Sequence, residues 1–517
     1  MRKGVIRIIF ILIVVLLLTN PVLYGKKSTV KINLKGFPQL VEEMLTRWEV
    51  QGAAVAVVKD GEVVFSRGFG YRDVKNKLEV TADTLFAIGS CTKSFTAAVL
   101  GILVDEGKLD WNQPVRTYLP GFKLQDSVAS EQITTMDLVI HRSGLPRHDL
   151  VWYGSSRTRK DLVKQLRFLE SSKSFRSACQ YTNLMYMAAG YMAGKIAGMS
   201  WEELVQTKIF DPLGMKTSNF SVKDLQKTKN FSLPYSKRDE KVVEIPFRNV
   251  DAVGPAASIN SSVNEMARWV LLNLNKGKIG DKQVISEGNL QKLHTPQMAT
   301  GKPISKDKEF LFSAYGIGWA ITGYRGHLVV SHSGGIDGFV SRVSILPRDN
   351  AGVVVLANTD RGGGRFCPVI VFNVLDRILR LPQINWNERI EERIEKAQKK
   401  AREKKKKQDP DRKSNTKPSH SLEDYTGEYE NPGYGILTIK KDGEQLTAAL
   451  NELHLKVRHY HYDIFELSSG IFGDRKIKAH FHTDVKGNIS RVSIPFERGV
   501  KDIEFTRVPG KEAGEMR

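Results

Sequence analysis

The chain is poor in cysteine, because its 517 residues contain three, namely Cys91, Cys179 and Cys367. An odd number at such wide spacing argues against a disulfide framework. The spacing is also not that of cysteine ligands in a metal site, so we expect no metal. Cys91 directly follows a serine at the start of an apolar helix. We interpret it as a small core residue rather than a second nucleophile.

The chain also lacks the run of roughly 20 apolar residues that a membrane-spanning helix needs. Its apolar N-terminal stretch is Ile8 to Leu18, with Arg2 and Lys3 before it and Pro21 after it. This pattern is typical of an export signal. We predict that residues 1–25 are a cleaved signal peptide, with an uncleaved anchor as the alternative, and that the protein is periplasmic, cell-surface or secreted. No cysteine follows the run, which argues against a lipoprotein-type lipid anchor.

Acidic residues are outnumbered by basic ones, 57 to 78, which gives a formal charge of +21 and a pI of about 9.6. Part of the excess lies in residues 386–420, which are mixed in sign and then strongly basic. A solvated, helical linker is the favoured interpretation. The alternative is an electrostatic tether to a membrane surface or to anionic cell-envelope polymers. Neither a groove-reading helix nor an RNA-binding aromatic signature is present, so we expect no nucleic-acid partner.

The most informative stretch is Thr84 to Leu100, which reads TLFAIGSCTKSFTAAVL. A short apolar strand, Leu85 to Ile88, leads through a glycine into Ser90, and an apolar helix with a period near 3.6 follows. At a helix N-terminus the serine faces free N–H groups and the positive end of the dipole. Lys93 lies on the same helix face and reaches the hydroxyl. These groups are suited to acyl transfer; an ordinary N-cap is the alternative.

A second motif is Tyr181-Thr-Asn183, in a loop before another apolar helix. A tyrosine beside a lysine ammonium can act as a general base once its pKa falls from about 10. Lowering that pKa to about 7 takes roughly 4 kcal/mol, which a neighbouring cation in a partly desolvated cleft supplies. Asn183 would then orient Lys93 and the substrate amide. Ordinary packing of the tyrosine is the alternative.

A third motif is the run His332-Ser-Gly-Gly335, which follows a predicted strand, Leu328 to Ser331. Small residues let a ligand approach the backbone closely. Two more predicted strands follow, Val340 to Leu346 and Gly352 to Leu356. The pattern predicts an antiparallel meander with the site at the end of its first strand.

In this order and with these contexts, the three motifs resemble the penicillin-recognising serine hydrolases. The nearest branch contains class C β-lactamases, D-alanyl-D-alanine carboxypeptidases, D-aminopeptidases and related esterases. The resemblance covers Phe37 to Leu381 and includes supporting stretches at Leu138–Pro146, Ile209–Met215 and Gly254–Trp269. It implies an α/β, β-lactamase/transpeptidase-like fold, in which helices flank an antiparallel sheet and form an additional helical lobe.

The resemblance also implies roles for residues at matching positions. Ser90 would be the nucleophile, with Lys93 and Tyr181 sharing the proton relay, and the sequence leaves open which of those two takes the first proton. Substrate would be bound by Asn183, His332, Ser333 and Gly334. The N–H groups of Ser90 and Gly335 would form the oxyanion hole, and no cofactor is implied.

His332 stands where dedicated β-lactamases usually carry a lysine. A lysine is cationic throughout the neutral range and pairs with a substrate carboxylate, whereas histidine is mostly neutral at pH 7. Binding of a carboxylate should therefore be weaker, or another cation should provide it. The Ser-Asp-Asn element and the general-base glutamate of class A enzymes are not evident. The first difference favours a peptidase or esterase, and the second argues against the class A branch.

From Ser421 onward the pattern changes to short strands separated by turn residues. It predicts a small antiparallel barrel and resembles the lipocalin-like domain appended to some of these hydrolases. We predict a hydrolase domain over residues 31–385 and the barrel over 421–510. Five histidines of this region are interpreted as solvent-facing strand residues rather than metal ligands: His454, His459, His461, His480 and His482.

Three functions remain open from the sequence. The favoured one is an exported serine hydrolase that forms an acyl-enzyme on Ser90 and acts on small peptides or esters. A β-lactamase or penicillin-binding protein is the first alternative. A non-catalytic binding or scaffold protein is the second, although a retired site need not retain Ser90, Lys93, Tyr181 and Asn183 together. The sequence gives no indication of the oligomeric state.

Overall fold

The computed structural model describes residues 32–238, 240–301, 305–406, 412–472 and 475–510. The predicted signal or anchor, residues 1–25, lies outside these ranges. Within them, none of the helices combines the length and the apolar character required to cross a membrane.

The main sheet of the described chain has nine strands, in the order β10-β11-β12-β13-β14-β15-β1-β2-β3, and every neighbouring pair is antiparallel. Six further short strands form two-stranded ribbons outside it. The fifteen strands are β1 Gly52–Lys59, β2 Glu62–Asp73, β3 Leu78–Glu79, β4 Phe86–Ala87, β5 Tyr235–Arg238, β6 Lys241–Glu244, β7 Asn260–Ser261, β8 Lys278–Ile279, β9 Lys282–Gln283, β10 Met298–Ala299, β11 Ala314–Tyr315, β12 Ala320–Tyr324, β13 His327–Ile336, β14 Phe339–Leu346 and β15 Ala351–Ala357.

The helices of the described chain are α1 Phe37–Arg47, α2 Thr92–Asp105, α3 Val115–Tyr118, α4 Ser127–Gln132, α5 Thr135–Val139, α6 Arg159–Gln165, α7 Asn183–Ala197, α8 Trp201–Val205, α9 Asp211–Leu213, α10 Val222–Lys227, α11 Gly254–Ala257, α12 Val263–Leu274, α13 Glu287–Leu293, α14 Asp360–Ile378 and α15 Trp386–Lys406. Helices α2 and α7 are apolar on nearly every face and are buried along most of their length. A helix of that composition belongs in the centre of a helical lobe. The two pack against each other, and α11 packs on both.

The central strands are covered on both faces, which is why they consist of small and β-branched residues. Every residue of β15 is buried. At Gly352 a side chain would meet Val270 of α12, whereas Ala357 lies against Gly363 of α14. Positions 352 and 357 differ in parity, so they point to opposite faces of the strand. The sheet is therefore sandwiched between α12 and α14, and the predicted fold class is confirmed.

The strand that carries the third motif is longer than predicted. β13 does not end at Ser331 but continues to Ile336, and the small residues pair in register with β14, as in Gly334 with Ser341. A tight turn at Asp337-Gly338 closes the hairpin, and Gly338 adopts φ +79°. The third motif therefore lies within a strand, with its backbone held by the sheet.

After α15 the chain forms a closed barrel of eight strands. The sequence pattern predicts six strands, at 425–429, 435–439, 445–450, 464–467, 478–482 and 489–494, and misses two, Leu453–His461 and Ile503–Arg507. The barrel strands are β16 Gly427–Asn431, β17 Gly435–Asp442, β18 Gln445–Leu450, β19 Leu453–His461, β20 Ile464–Ser468, β21 Ile477–Thr483, β22 Ile489–Ile494 and β23 Ile503–Arg507. Buried and exposed residues alternate along β19, and His454 and His480 are exposed.

Candidate active site

Ser90 lies in a single 3-10 turn, Gly89–Cys91, between β4 and α2. Gly89 has φ +49°, and a Cβ on it would stand 2.8 Å from the amide nitrogen of Gly335. A residue with a side chain would be strained by the backbone and would collide with β13. Glycine at 89 therefore lets this turn, Gly89–Cys91, lie directly against the strand of the third motif; we call it the nucleophile turn because it carries the predicted nucleophile.

The Lys93 amine is buried and lies 3.1 Å from the Oγ of Ser90. Its Nζ also donates to the side-chain oxygen of Asn183 at 2.7 Å and to the backbone oxygen of Ala256 at 2.9 Å. Burial, aided by the charge of Arg147, lowers the pKa of Lys93 well below its usual range. A neutral amine has two N–H groups and one lone pair. When Lys93 is neutral, the two carbonyl oxygens occupy the N–H groups and the lone pair faces Ser90.

Tyr181 stands over the same amine, with its ring centroid 4.8 Å from the Nζ of Lys93, and its phenol shares a hydrogen bond with Ser90. Burial raises the pKa of Tyr181 above its usual value, and the opposing effects of Ser90 and Arg147 are smaller. This differs from the expectation that the pKa of Tyr181 falls. The expectation assumed a charged lysine beside it, whereas burial disfavours the charged form of both groups.

Asn183 is the first residue of α7 and links the amine to a carboxylate that the sequence analysis missed. Its Nδ2 donates to Oδ1 of Asp149 at 3.2 Å. The same Oδ1 accepts a hydrogen bond from the indole of Trp152 at 2.9 Å. These contacts fix the Asn183 amide with its oxygen toward Lys93. The sequence offered one indication of Asp149, its position three residues after Leu138–Pro146, a stretch that supports the family resemblance.

His332 is buried, and both of its ring nitrogens contact protein groups. Nδ1 lies 2.7 Å from the backbone oxygen of Ser333, and Nε2 lies 3.0 Å from the hydroxyl of Tyr315. Burial and the charge of Lys93 lower the pKa of His332 to about 3. A neutral ring with its proton on Nδ1 donates to Ser333 and accepts from Tyr315. His332 therefore has no charge to offer a substrate anion at neutral pH.

The glycines after His332 differ in their surroundings. A Cβ on Gly334 would stand 1.9 Å from the backbone oxygen of Ile88, so this glycine is required for β13 to approach the nucleophile turn. A Cβ on Gly335 would meet nothing within 4 Å, and Ser333 and Gly335 are exposed. The strand edge beside Ser90 is therefore open to a ligand.

Two neighbouring groups have structural roles. Cys91 is buried, its Sγ lies 3.2 Å from the Oγ of Ser341, and burial raises the pKa of the thiol to about 11. It is thus a protonated core residue. His141 is buried among the rings of Tyr181, Tyr186 and Tyr315, and its Nδ1 accepts from the backbone N–H of Thr182 at 3.3 Å. It holds the loop that carries the second motif.

The described chain thus brings all the predicted site residues to one place, at the junction of the nucleophile turn, α7 and β13. The family model for Beta-lactamase matches residues 37–371, well over half of the chain. This chain belongs to the beta-lactamase family. The resemblance to the penicillin-recognising hydrolases is therefore confirmed. A second model, a domain of unknown function designated DUF3471, matches residues 411–507, which contain the barrel of this beta-lactamase-family chain.

Relatives and solved structures agree with the family. An unguisins hydrolase from Aspergillus campestris is 31% identical over 431 residues, which cover 79% of this chain and 78% of that protein. Protein flp from Staphylococcus aureus is 28% identical over 326 residues, 62% of each chain. An octameric penicillin-binding protein homologue from Pyrococcus abyssi superposes with a TM-score of 0.59 at 24% identity, over 92% of this chain and 100% of its own. SurE superposes with a TM-score of 0.55 at 18% identity, over 92% and 99%. The structures establish the fold, and the family together with the named hydrolase supports a hydrolase.

Proposed function

We propose that this chain is a serine hydrolase that forms an acyl-enzyme on Ser90 and cleaves small peptides or esters. The observation that carries the proposal is the Lys93 amine, 3.1 Å from the Ser90 hydroxyl, with carbonyl acceptors on its other sides. A buried amine of this kind is a general base within hydrogen-bond reach of its proton donor. An ordinary helix cap needs no such group.

Acylation begins when Lys93 takes the proton of Ser90 and Oγ attacks the substrate carbonyl carbon. The N–H groups of Ser90 and Gly335 are suited to stabilise the oxyanion, and each such donor typically contributes about 10²–10³ in kcat. Tyr181 remains a phenol at neutral pH, so it can protonate the leaving nitrogen or oxygen. The Lys93 ammonium then returns its proton to the phenolate. The acyl group is finally released by water, whose proton restores the Ser90 hydroxyl.

The neutral His332 favours this function over that of a dedicated β-lactamase, because those enzymes carry a lysine cation at this position of the strand to bind the drug carboxylate. The hydrolase name of the Aspergillus relative supports cleavage as the reaction type. The N-terminal 25 residues carry the further proposal that the enzyme works outside the cytoplasm. A β-lactamase or penicillin-binding protein remains the second candidate.

A fluorophosphonate probe and a substrate panel test this function. The purified protein is labelled, digested and mapped by mass spectrometry, then assayed with D- and L-peptides, p-nitrophenyl esters and a chromogenic cephalosporin. We expect the label on Ser90 and turnover of a peptide or ester. Ser90→Ala should abolish both. Ser305→Ala is the matched control, because Ser305 begins another Ser-x-x-Lys spacing but is exposed; it should behave like the wild type.

Two results would overturn the proposal. One is label that persists in Ser90→Ala. The other is a folded wild-type protein that takes no label and turns over no substrate, which would favour the scaffold alternative.

A further inference from the structure

Arg147 lies at the opening of the candidate active site. Its side chain is 53% exposed, and its guanidinium carbon is 5.5 Å from the ring centroid of Tyr181. The Lys93 amine is 4.8 Å from the same ring centroid. The guanidinium is thus within about 10 Å of the catalytic amine, which is the length of roughly three extended residues. A substrate bound at Ser90 would reach it.

Arg147 supplies a permanent positive charge beside two basic groups, Lys93 and His332, whose pKa values are lowered by burial. Burial disfavours the charged forms of Lys93 and His332, whereas a guanidinium stays protonated in proteins. The charge of Arg147 acts on Lys93, Tyr181 and His141 alike. It is therefore placed to attract an anionic group into the site.

The guanidinium is also oriented. Its Nε donates to Oδ2 of Asp149 at 2.5 Å. Within the described part of the chain, the two terminal nitrogens have no acceptor. An arginine held through Nε presents its terminal N–H groups as a fork, which matches the two oxygens of a carboxylate.

We propose that Arg147 binds a carboxylate of the substrate, so that the enzyme prefers peptides with a free carboxylate within about three residues of the scissile bond. The proposal rests on the proposed function, since it needs turnover at Ser90. Arg147 would then be the cation that binds a substrate carboxylate in place of the lysine that His332 replaces.

The test compares one short peptide with its C-terminal amide, on wild type, Arg147→Gln and Arg147→Lys. We expect Arg147→Gln to lower kcat/KM about 30-fold more for the acid than for the amide, mainly through KM. Arg147→Lys should recover part of that difference, because it restores the charge without the fork. Arg147 also affects the pKa of Lys93, but this effect is the same for both peptides. It therefore cancels in the ratio of their kcat/KM values.

Equal losses on acid and amide, or no loss on either, would overturn the carboxylate role. Wild-type protein that neither takes the fluorophosphonate label nor turns over either peptide would instead overturn the proposed function.

A second set of contacts joins the barrel to His148, the residue that follows Arg147. His148 is buried and has φ +44°, a conformation that is uncommon for a residue with a side chain. Its Nδ1 lies 2.7 Å from the hydroxyl of Tyr434, and its backbone N–H donates to Glu497 at 2.6 Å. Its Nε2 lies 2.9 Å from the backbone oxygen of Glu170. Tyr434 lies in the β16–β17 turn and Glu497 follows β22.

The β18–β19 turn of the barrel holds the next residues of the same loop. Asn451 donates to the backbone oxygen of Leu150 at 3.1 Å, and the N–H of Glu452 donates to Gly154 at 3.1 Å. Glu452 also pairs with Arg248, which in turn contacts Asp337 in the turn after β13.

We infer that the barrel positions the loop that carries Arg147 and Asp149. His148 stands between these two residues, and Tyr434 and Glu497 are its anchors. If the anchors are lost, Arg147 and Asp149 are free to move together with the backbone between them. Tyr434 and Glu497 are therefore positioning residues for the active site, which gives the barrel a role in specificity.

Tyr434→Phe tests this role in the full chain, because it deletes the hydroxyl and keeps the ring. Tyr429→Phe is the matched control: Tyr429 is also buried in the barrel, but its hydroxyl donates to Tyr425, within the barrel. We expect Tyr434→Phe to reduce the acid-to-amide preference at least about five-fold and Tyr429→Phe to leave it unchanged, at similar small losses of Tm. Glu497→Gln should act like Tyr434→Phe.

A preference that stays at the wild-type value in Tyr434→Phe and Glu497→Gln would overturn the positioning role, as would an equal reduction in Tyr429→Phe. Since the acid-to-amide ratio is independent of the amount of folded enzyme, simple destabilisation does not imitate the expected result.

Discussion

The side-chain amide of Asn183 joins two groups of opposite character, since it donates to Asp149 at 3.2 Å and accepts from the Lys93 amine at 2.7 Å. The contact with Lys93 is the one expected from the second motif, whereas nothing in the sequence pattern indicates the contact with Asp149. Together they hold the amide oxygen against an amine whose pKa burial lowers. The protonation state of Lys93 is therefore sensitive to a change at Asn183.

Replacing Asn183 by aspartate tests that sensitivity. A carboxylate beside the amine should raise the pKa of Lys93, because an opposite charge favours the ammonium. Each unit of that rise removes about ten-fold of the neutral base. We expect the fluorophosphonate labelling rate of Asn183→Asp at pH 7 to fall at least ten-fold and to recover as the pH rises. A rate that is equally low at all pH values would show that Asn183 acts in another way.

The charges of Arg147 and Asp149 should shift the titration of Lys93 in opposite directions. Labelling should rise with pH as Lys93 loses its proton, with a midpoint well below 10.5 because burial lowers the pKa of Lys93. Arg147 lowers this pKa and Asp149 raises it. We therefore expect Arg147→Gln to move the midpoint to higher pH and Asp149→Asn to move it to lower pH, measured from labelling rates between pH 5 and 10. Shifts of the same sign would contradict this assignment.

Gly89 should be required for the geometry of the nucleophile turn. In Gly89→Ala the new Cβ strains the backbone and pushes against Gly335. We expect a loss of about 2 kcal/mol in unfolding free energy and about 100-fold in kcat/KM. Gly107→Ala is the control, because Gly107 also has a positive φ but open space around it. It should lose stability and keep its activity.

Buried neutral histidines should make the fold sensitive to acid. Burial lowers the pKa of His294 to about 4, whereas the unfolded chain protonates it near 6.5. Its contribution is present above pH 6.5 and is lost as the pH falls toward 4. Between pH 7.5 and 4.5, the unfolding free energy of the wild type should fall by about 2–3 kcal/mol more than that of His294→Gln, as measured by guanidinium unfolding. Parallel curves for the wild type and His294→Gln would contradict the prediction.

Cys91 should be dispensable for chemistry although it adjoins the nucleophile. Its thiol is buried and protonated, since burial raises its pKa to about 11. Cys91→Ala should label and turn over substrate within a factor of about three of the wild type. Iodoacetamide should fail to modify Cys91 in the native protein and should modify it after denaturation. Loss of labelling in Cys91→Ala, with Tm retained, would point to a role for the thiol.

The three motifs were predictable because each combines local periodicity with a chemically distinctive residue. Ser90 and Lys93 share a helix face, so their contact follows from sequence spacing alone. The opening at Gly335 was predicted from the run of small residues after Ser331, although β13 continues through that run to Ile336. The hairpin of β1 and β2 is predicted by two strand-like runs, 53–58 and 62–67, on either side of a Lys-Asp-Gly turn.

What the sequence could not provide is the effect of burial and of distant contacts. Tyr181 and Lys93 were expected to influence each other as charges, but desolvation of both groups dominates and no local pattern reports it. Asp149 lies in a loop without periodicity, and its partner Asn183 is 34 residues away. The barrel strand Leu453–His461 carries histidines and basic residues on its outer face, which hid its apolar alternation.

The bonds that His148 makes to Tyr434 and Glu497 span 286 and 349 positions of the chain. The part of the chain that contains every proposed catalytic group is thus synthesised long before the partners of this loop. We expect a product cut short by a late stop codon or by proteolysis to retain Ser90 and Lys93 and to lose the proposed preference for a free carboxylate. The selectivity proposed for the site at Ser90 and Arg147 would in this way depend on an intact C-terminal barrel.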